Sequence, residues 1–197
     1  MKDAGRDDSS YLVRVTGPAG DEDILARAVI DASGTVGTPG PLGAAGVAAL
    51  GERAQAEHIF YGIPDVVGAL RDRYAGRRVL VVGSGHSAIN ALLDLARLAD
   101  SEPATKIVWA VRRHGLGQAL GGARGDALEE RGRLGARMRG LLDGGRVQLL
   151  TGFNLDRLTR TSEGLVASSG SREAPPVDEI IAATGFRPDW SVLSEVR

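Results

Sequence analysis

Val79-Leu80-Val81-Val82-Gly83-Ser84-Gly85-His86-Ser87-Ala88 is the stretch around which the whole chain is organised. Four consecutive aliphatics, three of them β-branched, read as a strand buried on both faces, as in the interior of a parallel sheet. Two glycines interrupt it, and from Ser87 to Leu98 the residues are strong helix formers, with Ile89, Leu92, Leu93 and Ala96 along one side. In a strand–turn–helix unit of this kind Gly83 permits the tight turn and Gly85 lets the backbone approach a pyrophosphate. The free N–H groups of the first helical turn, Ser84, His86 and Ser87 among their neighbours, face the anion with the helix dipole behind them. Ala88 stands at the third small position, where it lets helix and strand pack closely. His86 either contacts phosphate or caps the helix. The plain alternative is a glycine-bearing turn that binds nothing; the flanking strand and helix favour a nucleotide phosphate site.

Composition narrows the classes. With 197 residues, 43% of them hydrophobic, the chain is sized for one domain or slightly more and can bury a core. A net charge of −1 argues against a polyanion partner for the molecule as a whole, so no nucleic acid is expected. The absence of cysteine excludes disulfides, thiolate metal sites and a redox-active dithiol, so any redox chemistry resides in a bound cofactor. No apolar run approaches the roughly 20 residues of a membrane span, and residues 1–8 lack a signal-peptide core. The expectation is a cytoplasmic protein with no membrane partner.

Downstream of the glycine turn, Lys106-Ile107-Val108-Trp109-Ala110-Val111 reads as a second buried strand, ending in Arg112-Arg113-His114-Gly115. The end of the second strand of a dinucleotide fold reaches the adenosine ribose, where an acid grips the 2′-hydroxyl of NAD and arginine accommodates the 2′-phosphate of NADP. Arg112 and Arg113 with no competing acid point to NADPH over NADH; two arginines capping a strand in solvent are the bland alternative. From Gly115 to Gly145 arginines and glycines abound, but no aromatic interleaves them and acids dilute the charge. That stretch reads as a solvated helix with Leu128, Leu134, Met138, Leu141 and Leu142 towards the sheet, preceded by a mobile loop over 116–125.

The front of the chain reads as a hairpin, Tyr11–Val15 and Ile24–Ile30 around a Gly-Pro turn, leading into Ile30-Asp31-Ala32-Ser33-Gly34-Thr35 as a strand ending in small residues. A Gly/Pro-rich loop over 37–46 follows; it either lies against a ligand or is a plain connection. Residues 47–75 form a connector with a short extended piece near Ile59, and Asp65 N-caps a helix to Tyr74. His58 has no second ligand at metal spacing, so it packs or faces solvent, and no metal site is expected. A third parallel strand over 146–150 precedes antiparallel pieces over 153–159 and 164–168. The strand Val177–Ala183 then ends in Thr184-Gly185-Phe186-Arg187-Pro188, echoing the small-residue ending at Ser33-Gly34.

Taken in order, the hairpin, Ile-Asp-Ala-Ser-Gly (30–34), Gly-Ser-Gly-His-Ser-Ala (83–88), Arg-Arg (112–113) and Ala-Thr-Gly-Phe-Arg-Pro (183–188) resemble the pyridine-nucleotide-binding part of the two-dinucleotide-domain flavoproteins. That group includes the flavin-containing monooxygenases and pyridine nucleotide-disulfide oxidoreductases, and the G-x-G-x-S-A form is closer to the monooxygenase branch. The resemblance covers nearly all of residues 11–190. It implies a hydride passed from NADPH to FAD, with Gly83, Ser84, Gly85, His86, Ser87 and Ala88 on the pyrophosphate and Arg112 and Arg113 on the 2′-phosphate. Ser33, Gly34, Thr184 and Gly185 would lie where two domains exchange chain, near flavin and nicotinamide.

The expected fold is α/β. A Rossmann-like parallel sheet carries helices on both faces, with an antiparallel β-meander and remnants of a second, FAD-binding domain. The expected divisions are 1–46 hairpin and linker of the FAD domain, 47–75 connector, 76–185 NAD(P)-binding domain, and 186–197 return segment. A complete member of the family carries its own FAD fingerprint before the hairpin, so FAD is expected of the complete protein rather than of this chain by itself. The expected partners are the dinucleotide, a small-molecule substrate, and a second copy or a flavin-bearing protein. The rival reading is a non-catalytic dinucleotide-binding or interaction module, or a truncated fragment that needs a flavin-bearing partner. No side chain stands out as catalytic.

Overall fold

The computed structural model describes residues 9–116 and 129–191, with side chains in the second stretch described from residue 134. The chain divides into two compact units, one ending at Gly34 and the other beginning at Thr35. The first contains a two-stranded antiparallel hairpin, β1 (Tyr11–Gly17) and β2 (Gly20–Ala26). The alternation in the sequence predicts a half-buried strand, but only Val13 of β1 is partly buried, and Tyr11, Leu12 and Val15 are exposed. On the other side of the ribbon Arg14 donates to both oxygens of Asp23 across the pair, at 2.7 and 2.8 Å. The guanidinium holds the Asp23 carboxyl below its ordinary range.

The expected strand over residues 30–35 does not form. The Asp31 carboxylate accepts from the Ser33 backbone N–H at 2.9 Å and from the Ser33 hydroxyl at 2.6 Å. A local side-chain turn of this kind competes with a strand ladder, which explains why an apolar start did not continue as a strand.

The second unit is built on a five-stranded sheet in which every pairing is parallel. The spatial order is β3 (Ile59–Tyr61), β10 (Glu179–Ala182), β4 (Arg78–Val82), β5 (Lys106–Ala110) and β6 (Val147–Leu150). Chain order runs outward from β4 through helix α2 (His86–Ser101), β5 and helix α3 (Glu129–Asp143) to β6. It then returns through the antiparallel meander β7 (Arg157–Thr161), β8 (Gly164–Ser169) and β9 (Arg172–Glu173) to place β10 on the other side of β4. The direction of winding therefore switches at β4.

Strand pleating sorts the core into two layers. Val79, Val81, Ile107, Trp109, Val147 and Ile181 face α2, α3 and the short helix α1 (Arg71–Tyr74), meeting Ala88, Leu92, Leu95 and Met138. Leu80, Val82, Val108, Ala110, Ile180 and Ala182 face the other way, onto Phe153, Leu155, Leu158, Leu165 and Ala167. The helices expected on both faces thus lie on one, and the meander covers the other among the described residues. Its alternating apolar positions give it a dry face that does the work of a helix layer. The reading of Leu134, Met138, Leu141 and Leu142 as the inner side of α3 agrees with their packing against the helix-side core. Leu128 and most of the loop expected over 116–125 lie outside the described residues.

Two further expectations change in detail. Residues 65–70 form turns rather than helix, although Asp65 does accept from the Gly68 and Ala69 N–H groups at 2.9 Å each. Phe153–Asp156 is not strand; Phe153 and Leu155 are nevertheless fully buried under the sheet. Tyr74 is buried with no hydrogen-bond partner for its hydroxyl among the described residues, and burial pushes that phenol up to about 12.

Candidate functional site

The carboxyl ends of β4, β5 and β10 open into a cleft of about 320 Å³, within the usual range for small-ligand sites. It lies where the winding switches, the place at which open parallel sheets bind ligands. The floor comes from Val82, Ala110 and Ala183 at the strand ends, and Phe153 and Leu155 close one side. Small floor residues leave the space open.

The glycine turn forms the next wall. Gly83 has φ +132°, and a Cβ there would stand 2.2 Å from the Ala183 carbonyl oxygen, so only glycine lets β4 turn this close to β10. Its own carbonyl accepts the Trp109 indole N–H at 2.7 Å, which ties the turn to the fully buried Trp109 of β5. Gly85 differs: its φ of −84° is open to any residue and a Cβ would meet nothing within 4 Å. Gly85 is the N-cap of α2, and no side chain caps this 16-residue helix. Its first turn carries no acid either. The leading N–H groups and the positive end of the dipole therefore face open space beside Ser84, Gly85 and Ser87, which line the cleft.

The opposite wall is the Gly/Pro loop. Gly40, Pro41, Leu42, Gly43, Ala44 and Gly46 all line the cleft. The loop runs alongside the chain leaving β10: Gly40 N–H donates to the Gly185 carbonyl at 2.7 Å, the Thr184 hydroxyl donates to the Gly40 carbonyl at 2.6 Å, and Arg187 N–H donates to the Thr38 carbonyl at 2.8 Å. Two arginines complete the site. Arg112, beyond β5, donates to the Ala44 carbonyl at 3.1 Å, and Arg187 donates to the Gly46 carbonyl at 2.8 Å. Each guanidinium has five N–H donors, so one such bond leaves capacity for a ligand. None of the lining residues is acidic.

Of the residues singled out in the sequence, Gly83, Ser84, Gly85, Ser87, Arg112, Thr184 and Gly185 come together here. Ala88 is fully buried and packs α2 onto the sheet. His86 is exposed at the start of α2 and Arg113 is exposed beside Arg112; neither lines the cleft. Ser33 and Gly34 belong to the other unit, with Ser33 bonded to Asp31. Sequence reading missed Arg187, although it had marked the motif that contains it. The signal was available: a basic residue two positions past a strand that ends in Thr-Gly.

His58 sits elsewhere, at the amino end of β10, between Glu179 at 3.3 Å and Arg160 at 2.9 Å. No group of metal-ligating side chains occurs among the described residues, nor is any helix there long and apolar enough to cross a membrane.

No family model matches the chain. It is 29% identical over 178 residues to a ferredoxin–NADP reductase of Ralstonia pickettii, covering 88% of this chain and 42% of that protein. Among solved structures it is similar to the bacillithiol disulfide reductase of Bacillus cereus, with a TM-score of 0.65 and 18% identity over 99% of this chain and 51% of that one. It is also similar to the FAD-bound cadaverine monooxygenase of desferrioxamine biosynthesis from Erwinia amylovora, with TM-score 0.66, 16% identity, and coverage of 94% and 52%. The ornithine hydroxylase of Pseudomonas aeruginosa gives TM-score 0.62 and 19% identity, with coverage of 99% and 54%. The fold is the Rossmann-like fold of these oxidoreductases. The chain spans about half the length of each solved relative and less of the sequence relative.

The lining of this cleft suits an anionic group such as a phosphate. The Gly83 turn removes a Cβ that would collide with β10, the space before Gly85 is open, the helix end is uncapped, and two cations stand on the far wall.

Proposed function

We propose that the cleft binds NADPH and that the chain is the NADPH-binding part of an FAD-dependent oxidoreductase, monooxygenase-like in its glycine motif. The observation that carries the reading is the uncapped, acid-free N-terminus of α2 opening onto a cleft whose far wall presents Arg112 and Arg187. The amides of the first turn of α2, with Ser84, Gly85 and Ser87, hold the pyrophosphate. Arg112 holds the 2′-phosphate, with Arg113 as the second positive charge of that pair, and Arg187 adds charge across the cleft. Thr184, Gly185 and the Gly40 wall lie against the nicotinamide end.

A nicotinamide bound there would supply a hydride for transfer to a flavin. The chain's own contribution is to bind, orient and exclude water, so no side chain is assigned an acid, base or nucleophile role. The ferredoxin–NADP reductase likeness and the flavin-bound monooxygenase likeness both support this reading. Isothermal calorimetry tests it: NADPH binds the 197-residue chain more tightly than NADH. Absence of heat from both nucleotides overturns it.

A further inference from the structure

Glu52 is 2% exposed, the one buried charged residue among the described residues, and lies outside the cleft in the segment that reads from sequence as a connector. Its carboxylate accepts three hydrogen bonds. Leu42 N–H donates to Oε1 at 2.9 Å, the Tyr61 hydroxyl donates to Oε1 at 2.7 Å, and Ala49 N–H donates to Oε2 at 2.6 Å. Two of these donors flank the loop segment 43–48, and the third belongs to β3 of the central sheet. Within that segment lie the carbonyl oxygens of Ala44 and Gly46, which receive Arg112 and Arg187. The segment is tightly folded as well: a Cβ on Gly43 would meet the Val47 carbonyl oxygen at 2.0 Å.

We infer that Glu52 is a positioning residue for the nucleotide site, clamping the loop to the sheet so that Ala44 and Gly46 hold the two arginines where a phosphate meets them. A carboxylate suits the task because all three partners are donors and both of its oxygens accept. Glutamine presents an NH2 to one of them and leaves a donor unpaired. Burial, and then Glu52 itself, push the Tyr61 phenol well above its ordinary range, so the hydroxyl stays a donor. Glu52 touches no ligand; it acts through the loop and the arginines.

The inference rests on the NADPH reading of the cleft, and its test separates the two. Kd values for NADPH and NADH are measured on wild type, Glu52→Gln and the milder Tyr61→Phe, alongside amide hydrogen exchange without nucleotide. A merely structural role lowers the competent fraction and weakens both nucleotides by the same factor. Positioning of Arg112 lowers the NADPH:NADH affinity ratio, by roughly tenfold in Glu52→Gln and less in Tyr61→Phe, the size of one lost charge-assisted bond. Exchange at the Leu42 and Ala49 amides accelerates in Glu52→Gln while that of β4 holds.

An unchanged ratio with equally weakened binding overturns the positioning role, and so does unchanged exchange at both amides. If wild type binds neither nucleotide, the NADPH reading fails. The clamp is then judged by exchange alone: selective acceleration at Leu42 and Ala49 keeps it, and its absence overturns it.

Discussion

The two ends of the five-stranded sheet are made of the same strands and carry opposite chemistry. At the amino ends charges are paired. Arg78 of β4 meets Asp178 at 2.6 Å, Arg73 meets Glu179 of β10 at 2.6 Å, and Arg146, just before β6, meets Asp100 at 2.6 Å. At the carboxyl ends the residues are glycine, serine, alanine and threonine, and the arginines reach carbonyl oxygens instead of carboxylates. One end closes its electrostatics internally and serves stability. The other leaves the start of α2, Arg112 and Arg187 with no acidic partner among the described residues, which is tolerable because the site is open to water or to an anionic ligand.

The largest expected effect separates two glycines of one motif. Gly83→Ala forces a positive φ and a clash with the Ala183 carbonyl, and destabilises the fold by on the order of 3 kcal/mol in urea unfolding. Gly85→Ala, at an ordinary φ in open space, changes stability by less than about 1 kcal/mol and weakens the nucleotide instead. Equal stability losses at the two positions would break the assignment of turn to one and ligand approach to the other.

Next come the cations of the open end. Arg112→Ala lowers NADPH affinity by roughly 10- to 100-fold, corresponding to about 1.4–2.8 kcal/mol, and NADH affinity far less. Arg113→Ala, outside the cleft lining, has the smaller effect, and the double substitution erases the preference. Matching titration curves for the two nucleotides on wild type would contradict this.

The paired end answers to pH. The Arg78 guanidinium, through its hydrogen bonds, holds the Asp178 carboxyl below its ordinary 3.8, so the ion pair stabilises the fold above that value. The contribution, on the order of 1 kcal/mol after solvent screening, is lost as pH falls from about 4 through the lowered value. Asp178→Asn removes that acid limb from the stability profile and leaves NADPH binding unchanged. A shifted nucleotide affinity would show that the two ends are coupled. The smallest effect is at Tyr74, whose buried hydroxyl lacks a partner among the described residues. Tyr74→Phe is neutral or stabilises by up to about 1 kcal/mol in thermal unfolding.

How far the sequence could be read follows the same division. The β4–turn–α2 unit was legible because a run of buried aliphatics, two glycines and helix formers are all local signals. So was the Arg112 position, since it ends a recognisable strand. The placement of β10 beside β4 depends on a pairing about a hundred residues apart, which no local pattern encodes. The meander's role as a second layer hides in the spacing of Leu158, Leu165 and Ala167, apolar positions that do not say what they face. At residues 30–35 the apolar start misled because the Asp31 side chain takes over the backbone. Glu52 carries no local signal of burial; only the folded loop shows it buried. Arg187 needed the loop over 38–46 laid beside it before it had a wall to complete.

The most direct test of the open end as the nucleotide site is amide NMR of the 197-residue chain titrated with NADPH. The expected result is saturable shifts of the Ser84, Gly85, His86, Ser87 and Ala88 amides and of the Arg112 guanidinium, with Arg78, Asp178 and Glu179 unmoved. Saturable shifts confined to the amino ends of the strands, or none at the start of α2, would contradict it.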